Sequence, residues 1–407
     1  MLLSTANSPF RLEQLEPRQL LSAAPEIDTF IPPSGAFPKP IVAGPDGAVW
    51  YGDTLAHQIG RVDRQGHITK INIGGDANGI ASGSDGNLWV AEGNQLERIT
   101  PAGVVTTFAI PFQFNSAGSI TAGPDGALWY TEGVFNKIGR MTIDGSAQEF
   151  SPPPRTFRNM GQITAGPDGN LWFAAGSNIG RITPTGQFTA FALPSSQDDA
   201  VGITVAPDGN LWFTENNSNK IGRITPAGVV TQFDVPTANS HPDSITAGPD
   251  GNLWFTENYG GVAKITPSGQ ITEYPLTGFT PDCHGIVAGA DGNIYFVESF
   301  PNQIGRVDIG EHLPGDTNGD GTVNFTDLLT LAQHYNSTEA SQWTGDFTGD
   351  GTVNFADLLI LAQNYGKSAP GGAAARPGSE SFLTVASRAL RARRPILAVV
   401  TTAIRSA

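Results

Sequence analysis

The chain holds a single cysteine, Cys283, among 407 residues, so an intrachain disulfide is excluded and cysteine usage does not report the compartment. Long apolar runs are missing as well. Residues 1–23 contain no stretch of the length an ordinary signal peptide shows, and the run from Ile396 to Ile404 is too short to cross a bilayer, so no transmembrane span is expected. Positive charge is scarce: 23 Lys and Arg stand against 38 Asp and Glu, a formal net charge of −15. Nucleic acid is therefore not an expected partner, because binding it requires basic side chains gathered on one face.

What the chain has instead is turn chemistry, with 50 glycines and 30 prolines, and a repeat. The stretch ITAGPDGNLWFTE, Ile245 to Glu257, recurs in recognisable copies from Ile41 to Glu298. Its Asp-Gly pairs begin at Asp46, Asp85, Asp125, Asp168, Asp208, Asp250 and Asp291, at spacings of 39, 40, 43, 40, 42 and 41 residues. Seven copies at that period predict an all-β seven-bladed β-propeller. In the fifth copy Gly202 to Ala206, Leu211 to Thr214, Ile221 to Thr225 and Val229 to Phe233 read as four strands. Asp208-Gly209 and Pro226-Ala227-Gly228 supply the tight turns between them.

The last copy lacks an outer strand after Gln303 to Asp308. The missing strand is expected at the other end of the chain, where Ala24 to Pro32 resembles the outer strands Gly103 to Pro111 and Gly228 to Pro236. Its addition would close the ring and remove exposed sheet edges.

The aromatic position of the repeat, Trp50, Trp89, Trp129, Trp172, Trp212, Trp254 and Tyr295, is the same in every blade, as packing between sheets demands. Glu92, Glu132, Glu215, Glu257 and Glu298, three residues beyond, are expected to be structural strand-end groups. Function is expected where copies differ, because the inner strands place one residue per blade around the channel mouth. Two residues before each inner-strand Ile stand Lys39, Asn78, Gly118, Gly161, Val201, Asp243 and His284. Asp, His, Lys and Asn meet across the ring closure as a lopsided polar pocket, with His241, Asp282 and Cys283 beside it in sequence. Cys283 reads either as a nucleophile beside His284 or as a small core residue, the second being favoured because adjacent residues point apart.

Through ITAGPDGNLWFTE and NKIGRITPAG the propeller resembles the virginiamycin B lyase (streptogramin lyase) family. The resemblance implies a magnesium-assisted elimination that opens the ester bond of a cyclic depsipeptide, with a histidine as base. The family's Glu-Pro-His-Gly-Ile motif falls on Asp282-Cys283-His284-Gly285-Ile286, which implies His284 as the catalytic base and Asp282 as a Mg(2+) ligand. Other family positions are altered. The substrate-contacting histidine of the preceding blade falls at Asp243, with His241 displaced by two residues, an aromatic contact falls at Lys39, and the second metal-binding glutamate falls at Ser299, beside Glu298. The resemblance therefore implies substrate contacts at Asp243, His241 and Lys39 and a magnesium site at Asp282 and Glu298, and the register adds Asn78 as a further substrate contact. The alternative is a ligand- or protein-binding propeller without chemistry; glycoside hydrolysis lacks a paired carboxylate at one place on the ring.

After Pro314 the composition changes. GDTNGDGTVNFTDLLTLAQHY is repeated 30 residues later as GDFTGDGTVNFADLLILAQNY, two Ca(2+) loops of EF-hand type. Asp316, Asn318, Asp320, Thr322 and Asp327 fall at loop positions 1, 3, 5, 7 and 12, and Asp346, Thr348, Asp350, Thr352 and Asp357 repeat the scheme. Apolar helices are expected at Leu328 to Tyr335 and Leu358 to Tyr365, with none before either loop. The duplication and Asp at position 12 resemble a dockerin domain, which implies a cohesin-like or surface scaffold partner, whereas a structural calcium stalk is the plainer reading. Leu15-Glu16-Pro17-Arg18 with Leu20-Leu21 resembles the LEPR-XLL motif of large bacterial extracellular proteins, so a secreted or cell-surface location is expected. The expected division is a leader at 1–23, the propeller at 24–310, a linker at 311–314, the dockerin-like α-helical domain at 315–366 and a basic tail at 367–407.

Overall fold

A computed structural model describes residues 25–32, 37–63, 66–111, 117–133, 135–276, 282–309, 315–317, 322–337, 345–347 and 352–367. The leader, the linker and the tail beyond Lys367 lie outside these residues. Among the described residues the strands form seven four-stranded antiparallel sheets, and the propeller architecture stands as expected. The fifth blade runs Ala200–Val205, Leu211–Glu215, Lys220–Ile224 and Val230–Asp234, within two residues of the sequence reading.

The ring closes as the strand count required. Glu26–Phe30 pairs antiparallel with Gln303–Asp308, so the first strand of the chain is the outer strand of blade seven. Arg306 reaches across this pairing to Asp28.

Each blade is cemented to the next by its second strand, which is buried throughout, as in Leu211–Glu215 and Leu253–Glu257. The six repeat tryptophans are at most 2 % exposed, which makes them core rather than a carbohydrate-binding ring. Five of the six indoles, all but that of Trp212, are anchored at the turns: Trp50, Trp129 and Trp172 donate to Asp46, Asp125 and Asp168 at 2.9 Å. The third-strand cation lies beside the same ring, with Arg181 5.3 Å from Trp172 and Arg223 5.5 Å from Trp212, and it touches the outer-strand Phe191 and Phe233 that stack on those indoles. Third-strand glycine is obligatory here, because a Cβ on Gly222 would stand 2.1 Å from the ring of Phe213.

The C-terminal domain holds α1 (Phe325–Gln333) and α2 (Phe355–Asn364), each starting three residues earlier than expected because Asn324 and Asn354 cap them through a capping box closed by Asp327 and Asp357. Their apolar faces meet in one core of Val323, Leu328, Leu331, Val353, Leu358 and Leu361. The two halves are exchanged symmetrically: Gly345 packs on Leu331 and Gly315 on Leu361.

Candidate functional site

The mouth of the ring is shaped by a backbone irregularity repeated from blade to blade. In blade seven Cys283 pairs with Glu298 and Ile286 with Phe296, so His284 and Gly285 together face Val297 alone. That is a β-bulge, which bends the strand and re-aims the extra residue. The same shift occurs in blades one, three, four, five and six, at Pro38/Ile41, Ala117/Ile120, Met160/Ile163, Ala200/Ile203 and Pro242/Ile245. The bulged pairs are the residues that surround the mouth, a cavity of about 270 Å³.

Small second residues let neighbouring blades approach closely. A Cβ on Gly285 would stand 2.7 Å from the carbonyl of Lys39, and one on Gly202 2.6 Å from that of Asp243. Second-strand hydroxyls then fix the bulges: Thr214 donates to the carbonyl of Asp243 and Thr256 to that of His284, each at 2.6 Å. Both threonines are fully buried. The backbones that carry Asp243 and His284 are thus held by blades five and six.

Of the seven residues the sequence register named, Lys39, Asn78, Val201, Asp243 and His284 line the cavity, and Gly118 and Gly161 do not. Second residues of the bulges also line it, Ser244 among them, and were missed because counting back from the inner-strand Ile named only the first; so were Ser119 and Gln162. Their polar atoms serve the backbone: Ser119 accepts from Ile163 N at 3.2 Å and Gln162 from Ile203 N at 2.9 Å. Asn78 donates to the carbonyl of Ala117 at 3.3 Å. The side chains with polar capacity left for a ligand therefore concentrate on blades six, seven and one.

There His284 is the centre. Its Nδ1 lies 3.1 Å from Asp243 Oδ2 and its Nε2 3.2 Å from Asp282 Oδ2. Burial disfavours the imidazolium, but the hydrogen bond and charge of Asp243, with the charge of Asp282, outweigh it and hold the pKa above the ordinary histidine value; Lys39 opposes them. Asp282 is the loosest of the three, its side chain 40 % exposed against 21 % for His284 and 22 % for Asp243. Lys39 is exposed, with its ammonium 5.5 Å from the Phe37 ring.

Two expected participants, His241 and Glu298, are elsewhere, and so is the neighbouring Cys283. His241 does not line the cavity; it sits in a left-handed turn with Nδ1 3.2 Å from Asn216 Oδ1, its ring edge-on to Tyr259 at 5.3 Å. Cys283 is fully buried on the opposite side of the bulge, and burial, reinforced by the charge of Glu298, raises its thiol pKa, so it is core filling and no nucleophile. Glu298 is 3 % exposed and accepts from Gln303 Nε2 at 3.1 Å within its own blade.

This arrangement does not fit the magnesium ion that the resemblance implies. A magnesium ion takes a near-octahedral set of oxygens. Asp243 and Asp282 instead flank opposite nitrogens of one imidazole, Glu298 faces into its blade, and Ser299, at the family's glutamate position, donates to Pro38 O at 2.8 Å while 1 % exposed. Among the described residues no three His, Cys, Asp or Glu side chains gather as a metal-binding group.

The paired loops behave differently. Asp316, Asp327, Asp346 and Asp357 are all buried, and burial, with the nearby charge of Asp316, raises the Asp327 carboxyl to about 6. Buried oxygens crowded in this way fit a hard cation that would relieve the repulsion. Asn318, Asp320, Thr348 and Asp350 lie outside the described residues, while Thr322 and Thr352, at loop position 7, accept hydrogen bonds from the side chains of Asn324 and Asn354.

The comparisons agree with this fold and its two domains. Residues 21–155 and 114–314 match the virginiamycin B lyase family, and residues 314–365 match the dockerin type I domain. A selenomethionine virginiamycin B lyase from Staphylococcus aureus is 34 % identical, covers 70 % of this chain and 99 % of its own, and superposes with a TM-score of 0.66. A streptogramin B lyase is 32 % identical over 69 % of this chain and 96 % of its own, with a TM-score of 0.65. A catalytically inactive histidine-to-alanine variant of the S. aureus enzyme with quinupristin is likewise 34 % identical, covers 70 % of this chain and 99 % of its own, and has a TM-score of 0.66. None of the curated proteins matches the chain.

Proposed function

Because the chain belongs to the virginiamycin B lyase family, we propose that its propeller is a carbon–oxygen lyase that opens ester-closed cyclic peptides at the mouth around His284. The Asp243–His284 pair carries this reading. A carboxylate on Nδ1 fixes the tautomer and leaves Nε2 as the basic nitrogen, the arrangement a general base requires. Asp282, the exposed member, moves off Nε2 as substrate enters.

Nε2 then removes the proton from the carbon next to a carbonyl. The released electron pair forms the double bond to the neighbouring carbon, whose bond to the ester oxygen breaks, and the oxygen leaves as a carboxylate. One ring becomes one linear isomer, with no water consumed. Thr256 and Thr214 support the step by holding the backbones of His284 and Asp243 in place.

The dockerin module is read as a calcium-dependent attachment domain that binds a cohesin-type partner, so the enzyme acts outside the cell or at its surface. No helix among the described residues is long and apolar enough to cross a membrane.

The test is incubation of the full-length protein with a depsipeptide closed by an ester, followed by mass spectrometry. Elimination gives a linear product of unchanged mass, hydrolysis adds one water, and His284→Ala should abolish the first. A product that has gained water, or turnover that survives His284→Ala, would sink the reading. The competing view, a ligand-binding propeller without chemistry, draws on the closeness of Asp282 to Nε2 and expects binding with no product.

A further inference from the structure

The elimination develops negative charge on the carbonyl oxygen next to the carbon that loses its proton, and a hydrogen-bond donor or positive charge aimed at that oxygen stabilises it. The carboxylates at the mouth do not converge to hold a divalent ion. Lys39 is the one lysine or arginine among the residues lining the cavity. It forms no ion pair among the described residues, its charge reaches His284, and it is exposed to the opening.

Its backbone is placed deliberately. Ser299 of blade seven donates to the carbonyl of Pro38, and Gly285 closes on the carbonyl of Lys39 with room for no side chain. The hydroxyl at the position where the family carries its second metal-binding glutamate thus secures the neighbour of Lys39 instead.

We propose that Lys39, and not a divalent ion, supplies the positive charge for the enolate oxygen at this mouth. The assignment rests on the elimination reading. The ammonium donates a hydrogen bond to the developing oxyanion and transfers no proton, so atoms and electrons balance as described above.

The experiment measures turnover of the ester-closed peptide by the full-length protein with calcium held constant and magnesium present or absent. Wild type should turn over equally in both. Lys39→Gln should lose roughly 100-fold or more in kcat with KM little changed, the size expected for one oxyanion donor, while Lys39→Arg should retain most of the rate. Stimulation by magnesium, or a Lys39→Gln variant with unchanged kcat, overturns the role of Lys39 and leaves the lyase reading standing.

Absence of turnover in wild type under both conditions overturns the lyase reading and the role of Lys39 together. A second readout needs no turnover: manganese, titrated into the calcium-loaded protein, should not selectively broaden the His284 imidazole proton signals, identified by their loss in His284→Ala. Selective broadening would place a divalent ion at the mouth and overturn the assignment.

Discussion

Glu132 closes the second strand of blade three with 1 % of its surface exposed and with Oε1 lacking a hydrogen-bond partner. Burial raises its pKa to about 7; Glu149 adds repulsion and Lys137, which pairs with Glu149 at 2.6 Å, partly offsets it. The unfolded chain releases this proton near the ordinary glutamate value of 4.5. Below that value both states are protonated and the full stability is present; as pH rises through about 7 the folded state must ionise at a disadvantage and stability is lost. The interval corresponds to at most about 3 kcal/mol at ~1.36 kcal/mol per pH unit.

Glu132→Gln removes the titration and keeps the shape. At about pH 8 the variant should be more stable by roughly 1–2 kcal/mol, after allowance for one unpaired amide N–H, and its Tm should rise by a few degrees. At about pH 5 the advantage should vanish or reverse. Thermal unfolding of both proteins followed across that range decides the matter. Parallel Tm curves would show that Glu132 ionises in the folded state as freely as in water, and would refute the reasoning for the equivalent Glu92 and Glu257 as well, which are raised to about 7 chiefly by burial.

Three other outcomes are expected. Thr256→Val leaves the His284 carbonyl and the Ser244 N–H without their partner, so stability should fall by about 2 kcal/mol and kcat should fall with it, whereas Thr256→Ser should restore both; an unaltered rate in the valine variant would deny that the hydroxyl positions His284. The lyase rate should rise with pH through a value above the ordinary histidine pKa, because Asp243 favours the imidazolium, and Asp243→Asn should move that limb to lower pH; a limb that stays put would contradict the pairing. Calcium chelation should remove the circular dichroism signal of α1 and α2 and leave the β signal of the blades, and a spectrum indifferent to chelator would count against calcium at Asp327 and Asp357.

Much of this was readable in the sequence because repetition multiplies weak signals. One Asp-Gly turn says little, but seven at even spacing define blades, and the unpaired last copy locates its missing strand at Glu26–Phe30. Counting from the inner-strand Ile likewise placed Lys39, Asp243 and His284 together, since the register is kept from blade to blade. The failures have one origin. A bulge adds a residue without leaving a mark of its own in the sequence, so Ser119 and Gln162 were overlooked. Whether Asp282 would face a metal or the imidazole turns on how the bulge aims two near neighbours of one blade, and what the Ser299 hydroxyl would hold depends on a blade distant in sequence; local pattern carries neither.

The closing strand has a mechanical consequence. Glu26 lies opposite Asp308, and Phe30 opposite Ile304, so the chain enters and leaves the propeller at the same end of one short ladder. Tension applied between the two flanks does not load these pairs side by side; it opens them in succession, as a zipper is opened. The ring would yield first at blade seven, the blade that bears His284, and the freed strand would remain tethered beside its slot, ready to close again when the pull is released.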